Sequence, residues 1–187
     1  MVSIGTLKRQ KRYEVLVQAV SLLPARVTLD LIGDGSETDA LKQLAASLGI
    51  SDRVAFHGPL YEPAAKAAVL SSGHIGVIPG RGGLAIQEMM AHGLPVISGV
   101  ADGTEQDLIR DRQTGYLIDG FPTAEQIADR MRAFIALPPP DRAAMARGAL
   151  AVVVAVSNTG TMAQGIADAV TNTLHDVPAA SAASELR

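Results

Sequence analysis

Short apolar runs alternate with helical segments along most of this chain, and this alternation restricts the fold more than any other feature. Strands that alternate with helices in this way form a parallel sheet with helices packed on both faces. The sequence therefore predicts an α/β fold with a six-stranded parallel sheet in a single domain. The predicted strands cover residues 2–4, 27–32, 53–57, 74–78, 95–98 and 116–119.

The helical segments carry apolar residues at intervals of three and four, which places those residues on one face of each helix. Ser36 and Thr123 stand where a side-chain oxygen commonly caps a helix. The proline run 138–140 is expected to separate two of the last helices. The predicted helices cover residues 13–23, 36–48, 63–71, 84–91, 106–110, 123–137, 141–148 and 162–174.

Composition and charge exclude several classes of protein. The 187 residues suit one domain with a sizeable core, and 48% of them are hydrophobic. A net charge of -3 gives no electrostatic case for nucleic-acid binding, which usually needs a strongly basic face. The chain has no cysteine, and no apolar run reaches the length of a membrane helix. A cytoplasmic location is expected, with peripheral contact at the inner membrane as the alternative.

The first loop with phosphate-binding chemistry follows the predicted strand 2–4. It consists of Gly5 and the basic run TLKRQKR at residues 6–12, which leads into a helix. Backbone N–H groups at a glycine turn and a lysine ammonium are groups that bind a diphosphate. On its own, a charged cluster before a helix is more often a solvated surface. The turn Gly33-Asp34-Gly35 is equally ambiguous, because an ordinary strand-to-helix turn also favours glycine.

The second loop is more specific. Residues 78–97 read IPGRGGLAIQEMMAHGLPVI, which combines a strand end, a glycine-rich loop and the start of a helix. Free N–H groups and the helix dipole at such a start favour a phosphate group. Glu88 lies one turn inside this helix, where a carboxylate can accept two hydrogen bonds from the vicinal hydroxyls of a ribose. The alternative is a flexible loop followed by a surface glutamate.

The order of these motifs resembles one known family. The glycine loop with its lysine, GDG at 33–35, VAFHG at 54–58, GGLAIQEMMAHGLPVI at 82–97 and TGYLI at 114–118 are similar to the carboxy-terminal domain of group 1 glycosyltransferases. Those are retaining enzymes with two Rossmann-like domains, the GT-B architecture. The resemblance implies that residues 1–176 form the nucleotide-sugar-binding, Rossmann-like domain, without the amino-terminal acceptor domain. Residues 177–187 are expected to form a disordered tail.

In that family these motifs hold the donor, a nucleoside diphosphate sugar. The resemblance implies that Lys11 contacts the diphosphate and that the backbone of Gly83 and Leu84 meets a phosphate at the helix start. Glu88 matches the glutamate that holds the donor ribose, and Gly5 matches the glycine of the first loop. The implied activity is transfer of the sugar to an acceptor, with retention at the anomeric carbon.

The nucleobase and the sugar are less determined. Gly58 and Leu60 match the segment that lines the base, and both UDP- and GDP-sugars fit this pattern. The resemblance implies no cofactor and no metal. No Asp-x-Asp motif is present, and the four histidines are scattered without the spacing of metal ligands.

At two positions the chain departs from the family. Thr6 stands where an arginine usually follows the loop glycine, so one cation for the diphosphate is missing, and Lys8 or Arg9 is the candidate substitute. Gly80 stands at the position of the first of two glutamates, which in the family lies near the transferred sugar. Arg81 is a candidate for donor contacts in its place, as a positive charge near the phosphate or the sugar.

Four interpretations are open from the sequence. The chain is the donor half of a transferase that works with an amino-terminal domain or subunit, a nucleotide-sugar-binding module without turnover, or an inactive fragment. The fourth is a related two-domain sugar-nucleotide epimerase, although the run around Glu88 favours the transferase. If a second domain normally covers this one, an exposed apolar inter-domain face and self-association are expected.

Overall fold

Six strands form one sheet in the computed structural model, which describes residues 1–101 and 103–156. Their order is β3-β2-β1-β4-β5-β6, and every neighbouring pair is parallel. This confirms the predicted α/β, Rossmann-like fold. The predicted helix 162–174 and the tail 177–187 lie outside the described residues. The strands are β1 Val2–Ile4, β2 Leu29–Ile32, β3 Val54–Gly58, β4 Gly76–Ile78, β5 Val96–Gly99 and β6 Gly115–Ile118.

Helices connect these strands, and two short 3₁₀ turns, Arg9–Lys11 and Ser51–Arg53, precede α1 and β3. Thr123 caps α6 as predicted, because its hydroxyl accepts a hydrogen bond from the N–H of Gln126. The Gln126 side chain accepts in return from the N–H of Thr123, which completes a capping box. The α-helices are α1 Tyr13–Ser21, α2 Thr38–Ser47, α3 Pro63–Ser72, α4 Leu84–Ala91, α5 Thr104–Leu108, α6 Ala124–Ala136 and α7 Pro139–Val156.

The start of α2 differs from the sequence prediction. Ser36 is not its cap, because the helix begins at Thr38 after Glu37. The preceding residues form a turn around the carboxylate of Asp34. That carboxylate accepts hydrogen bonds from the N–H of Gly35 at 2.8 Å and from the hydroxyl of Thr38 at 2.7 Å. A turn around Asp34 therefore replaces the predicted cap at Ser36.

The last described helix, α7, is longer than the predicted segment 141–148. It starts at Pro139, directly after the break that the proline run was expected to cause, and continues to Val156. Proline fits the first turn of a helix because the N–H that it lacks would have no partner there. Within the described residues, neither α7 nor any other helix combines the length and apolarity needed to span a membrane.

Apolar side chains form two clusters, one on each face of the sheet. Consecutive strand residues point to opposite faces, and accordingly Ile97 belongs to one cluster and Val96 to the other. Helices α1, α2 and α6 pack into the first cluster, and α3, α4 and α5 into the second. The strand order reverses between β1 and β4, which is where open sheets of this kind bind ligands. The loops after β1 and β4 are therefore the expected position of a ligand-binding site.

Candidate functional site

Glycine backbones join the carboxyl ends of β1, β2 and β3. The N–H of Gly5 donates to the carbonyl of Ile32 at 3.0 Å, and the N–H of Gly33 donates to the carbonyl of Gly58 at 2.8 Å. A β-carbon on Gly33 would lie 2.0 Å from the Gly5 carbonyl oxygen. Only glycine allows such an approach, so these loops form a single layer of backbone at this edge.

Lys11 connects the loop after β1 to the loop after β4. It ends the 3₁₀ turn Arg9–Lys11, and its Nζ donates to the carbonyl of Arg81 at 2.5 Å. Gly80 is buried beneath the same turn, where a β-carbon would lie 2.7 Å from the carbonyl oxygen of Gln10. The fold thus brings together Lys11 and Arg81, two predicted donor contacts that are far apart in sequence.

The start of α4 has the geometry of an anion site. Gly83 precedes the helix at φ 52° and ψ −135°, and no side chain caps it. Ala85 and Ile86 donate to carbonyls of the preceding turn, whereas no described residue accepts from the N–H of Gly83 or Leu84. Leu84 is 78% exposed. Two open N–H groups at the positive end of a helix dipole favour a phosphate.

Glu88 forms an ion pair that sequence reasoning missed. Its Oε1 lies 2.5 Å from the Nζ of Lys66 on α3, and both side chains are about one-third exposed. No motif signals Lys66, because only the packing of α3 beside α4 brings the two residues together. Glu88 therefore lies at the surface of the predicted site with one oxygen already paired.

The segment proposed to line the base also reaches this region. Gly58 ends β3 at φ 67°, and a β-carbon there would meet no atom within 4 Å. Leu60, two residues later, packs against the same apolar cluster as Ile4 at the end of β1. The fold thus carries this segment from the outer strand β3 back towards β1 and α4.

The two departures from the family have different structural settings. Thr6 is exposed in the first loop, and Lys8 and Arg9 in the following turn are exposed as well. Gly80 has no room for a glutamate, because a side chain there would run into the backbone of the turn that carries Lys11. At position 80, glycine replaces a carboxylate and allows close contact between the two loops.

Arg12 is a further cation that sequence reasoning did not single out. It follows Lys11 and has φ 56°, a left-handed backbone conformation that residues other than glycine rarely adopt. Its guanidinium carbon lies 5.2 Å from the ring centre of Phe121, which follows β6. This pair holds the loop after β6 against the start of α1.

A buried hydroxyl network supports the first loop from below. Tyr13 is buried at the start of α1, and its hydroxyl would lie 2.9 Å from a β-carbon on Gly5. Burial raises the pKa of Tyr13 to about 12, against the opposing effect of a hydrogen bond with Ser3. Ser3 donates to the carbonyl of Val77 at 2.6 Å, so the network links β1 to β4 directly under the site.

The histidines in the described part of the chain do not form a metal site. His57 pairs with Asp30 across β3 and β2, with 2.8 Å between Nε2 and Oδ1. His74 lines a cavity of about 320 Å³ together with Met1 and Asp30, at the amino edge of the sheet and away from α4. Within the described residues, no group of three or more His, Cys, Asp or Glu side chains has the arrangement of a metal site.

Exposed apolar side chains follow three of the strands. Tyr61 after β3 is 86% exposed, Leu84 after β4 is 78% exposed, and Phe121 after β6 is 50% exposed. All three stand at the carboxyl edge, beside the loops described above. Their position agrees with an apolar face around the candidate site.

Comparison with known proteins identifies the family. The family model for glycosyl transferases group 1 matches residues 1–152. The lipopolysaccharide core biosynthesis glycosyltransferase LpsE of Rhizobium meliloti (strain 1021) is 37% identical over 138 residues. That match covers 68% of this chain and 38% of LpsE. The chain therefore spans well under half of this curated relative.

Solved structures agree with this relation. Anabaena Alr3699/HepE in complex with UDP superimposes with a TM-score of 0.79 at 24% identity, over 91% of this chain and 48% of that protein. The C-terminal domain of the group 1 family protein LpcC from Francisella tularensis superimposes with a TM-score of 0.73 at 21% identity, over 84% and 86% of the two chains. The chain belongs to the group 1 glycosyltransferase family and has the fold of its carboxy-terminal domain.

Proposed function

We propose that this chain binds a nucleoside diphosphate sugar and forms the donor half of a retaining glycosyltransferase. One observation carries the proposal: Lys11 meets the loop that leads into the open N-terminus of α4, at the reversal of strand order. An ammonium and two free N–H groups in one crevice are suited to a diphosphate. Among related structures, HepE holds UDP and UDP-glucose.

The geometry suggests a role for each group. Lys11 and the N–H groups of Gly83 and Leu84 would offset the negative charge that develops on the leaving diphosphate. Glu88 would accept hydrogen bonds from the ribose hydroxyls, and Gly58 with Leu60 would line the base. Gly5 would let the first loop approach the phosphates, and Arg81 would add a positive charge. The list of proposed donor contacts is Gly5, Lys11, Gly58, Leu60, Arg81, Gly83, Leu84 and Glu88.

This scheme uses no metal and no cofactor, because protein cations and the helix dipole supply the positive charge. The proposed donor is a UDP- or GDP-sugar, and the acceptor is undefined. A cytoplasmic location belongs to the same proposal, since a chain without cysteine needs no oxidising compartment. The acceptor site is proposed to lie on an amino-terminal Rossmann-like domain or subunit that faces the carboxyl edge.

A second candidate is a binding module without turnover. Thr6 and Gly80 favour it, because one loop cation is absent and the buried Gly80 leaves no space for the sugar-proximal carboxylate. Both candidates require donor binding, and they differ in whether an amino-terminal partner restores transfer. Sugar transfer by the chain mixed with such a partner would favour the transferase over the binding module.

Calorimetric titration with UDP, GDP and uridine tests the binding site itself. Lys11→Met should weaken UDP about tenfold and leave uridine unchanged, because a charged hydrogen bond to phosphate contributes about 1.5–3 kcal/mol. Glu88→Gln should weaken both ligands, since both carry the ribose hydroxyls.

Lys42→Met is the matched control for loss of one positive charge. Lys42 lies on α2 with its Nζ over the ring of Phe56, on the opposite face of the sheet from α3 and α4. Its removal should leave the affinity for UDP unchanged. A folded sample that binds none of the nucleotides would contradict the proposed function.

The exposed apolar face gives a separate expectation. Without a covering domain, Tyr61, Leu84 and Phe121 are exposed at the carboxyl edge, and we propose that the chain self-associates through them. Sedimentation at increasing concentration measures this. A single monomeric species at high concentration would contradict it, without bearing on nucleotide binding.

A further inference from the structure

The ion pair between Lys66 and Glu88 lies inside the proposed donor site. Lys66 is at the end of the first turn of α3, shortly after the segment proposed to line the base, and Glu88 is on α4. The Nζ of Lys66 lies 2.5 Å from Oε1 of Glu88, with exposed fractions of 28% and 34% for the two side chains. Within the described residues, no other group forms an ion pair or hydrogen bond with this carboxylate.

We propose that Lys66 is a positioning residue, which orients the carboxylate of Glu88 so that the site selects a nucleotide with both ribose hydroxyls. The inference rests on the proposed function, because it assigns Glu88 to the ribose. It adds a residue from a different helix, and it names the part of the ligand whose recognition depends on that residue.

The chemistry of the pair supports this role. A partly exposed glutamate on a helix is free to rotate about its side-chain bonds, and fixing it on binding costs conformational entropy. An ammonium on Oε1 restricts that rotation before the ligand arrives. An ionised carboxylate has about four acceptor positions on its two oxygens, so Oε2 and the remaining positions of Oε1 stay available. Two vicinal hydroxyls need two such positions.

The position of Lys66 also connects two parts of the proposed site. Helix α3 begins at Pro63, directly after the loop that contains Leu60. Lys66 is thus connected to that loop through the first turn of α3 and to Glu88 through the ion pair. The ion pair thus couples the segment that would line the base to the carboxylate that would hold the ribose.

Two other roles for Lys66 predict different results. If its ammonium contacted a phosphate directly, its loss would weaken every ligand that carries the diphosphate. If the pair were only a surface contact, its loss would leave all ligands unchanged. A positioning role predicts weaker binding only for ligands that carry both ribose hydroxyls.

Calorimetry with UDP, uridine and 2′,3′-dideoxy-UDP separates these roles, with the guanosine series used instead if the unaltered chain prefers GDP. Lys66→Met should weaken UDP and uridine by roughly threefold to fivefold, as expected for loss of a partly exposed ion pair. Binding of the dideoxy compound should not change. Lys66→Arg should retain most of the selectivity, and Lys42→Met should retain all of it.

A double-mutant cycle completes the test. If Lys66 acts through Glu88, Lys66→Met should have no further effect on UDP in the Glu88→Gln background. Equal weakening of UDP and dideoxy-UDP, or an additive effect in the cycle, would overturn the positioning role while nucleotide binding stands. Absence of UDP and GDP binding by the folded, unaltered chain would overturn the proposed function and this inference together.

Discussion

The two edges of the sheet satisfy their polar groups in different ways. At the amino edge, the guanidinium of Arg53 donates to four carbonyls at the end of α1 and in the connection to β2, those of Val20, Leu23, Pro24 and Val27. At the carboxyl edge, glycine backbones close the loops, and the N–H groups at the start of α4 keep no partner in the described part of the chain. The amino edge is completed by the side chain of Arg53, whereas the carboxyl edge keeps open N–H groups.

Because of this difference, substitutions at the two edges should affect stability and ligand binding differently. A long side chain at the amino edge can be shortened without blocking the candidate site. At the carboxyl edge, Gly33 cannot gain even a methyl group without displacing backbone, whereas Gly58 and Gly83 have room for one. We therefore expect substitutions at the amino edge to change only the free energy of unfolding, and substitutions at the carboxyl edge to change folding, binding or both.

The largest effect is expected for Gly33→Ala. Gly33 has φ 129°, and a methyl group there would lie 2.0 Å from the Gly5 carbonyl oxygen. It would therefore force apart the loops after β1 and β2. We expect unfolding to become easier by about 3 kcal/mol or more, measured by urea denaturation. Nucleotide affinity should fall with it.

Gly49→Ala is the matched control for this substitution. Gly49 also has positive φ, 67°, but it follows α2 near the amino edge, and a β-carbon there meets no atom within 4 Å. Backbone strain alone should cost about 1 kcal/mol. Equal losses from Gly33→Ala and Gly49→Ala would show that the close backbone contact at the carboxyl edge is not important.

A smaller effect is expected for Arg53→Met, which removes the side chain that completes the amino edge. Four carbonyls lose a charged donor, although water reaches some of them, so we expect a loss of about 2 kcal/mol in urea denaturation. Arg132→Met is the control, because Arg132 donates to one carbonyl of the same connection, that of Leu22, and is half exposed. It should cost well under about 1 kcal/mol. A changed affinity for UDP in Arg53→Met would break the separation between the edges.

Strands, helices and caps that depend on a local sequence pattern were mostly predicted from the sequence. The alternation of apolar runs predicted all six strands, and the glycine loop before Leu84 predicted α4 with its observed bounds. Thr123 was correctly predicted as a cap, and the structure adds Gln126 as its partner in a capping box. Ser36 failed as a cap because the competing turn around Asp34 uses the same stretch of backbone.

Contacts between distant loops were beyond sequence reasoning. Nothing local indicates that Lys66 reaches Glu88, because the pair depends on how α3 packs beside α4. Gly80 looked like a lost carboxylate, and the structure gives the physical reason, since Lys11 and Gln10 occupy the space. The assignment of Lys11 and Glu88 to the donor stays a prediction, which the titrations above test.

The smallest effect near neutral pH is expected for the hydroxyl under the first loop. Burial raises the pKa of Tyr13 to about 12 from its usual value of 10.0, so the folded protein favours the neutral phenol. The folded chain then binds more protons than the unfolded chain between about pH 10 and pH 12. Stability from this residue is complete below pH 10 and falls by about 1.4 kcal/mol per pH unit as the pH rises through that window.

Tyr13→Phe should remove most of this alkaline slope in denaturation measured from pH 9 to pH 12, at a cost near neutral pH of about 1 kcal/mol for the lost hydrogen bond. Some slope should persist, because burial also raises the pKa of Tyr116. Tyr61→Phe removes the same hydroxyl from a side chain that is 86% exposed, and it should leave the slope unchanged. An unchanged slope in Tyr13→Phe would mean that water reaches the phenol, so the carboxyl edge would be open beneath its glycine layer as well as above it.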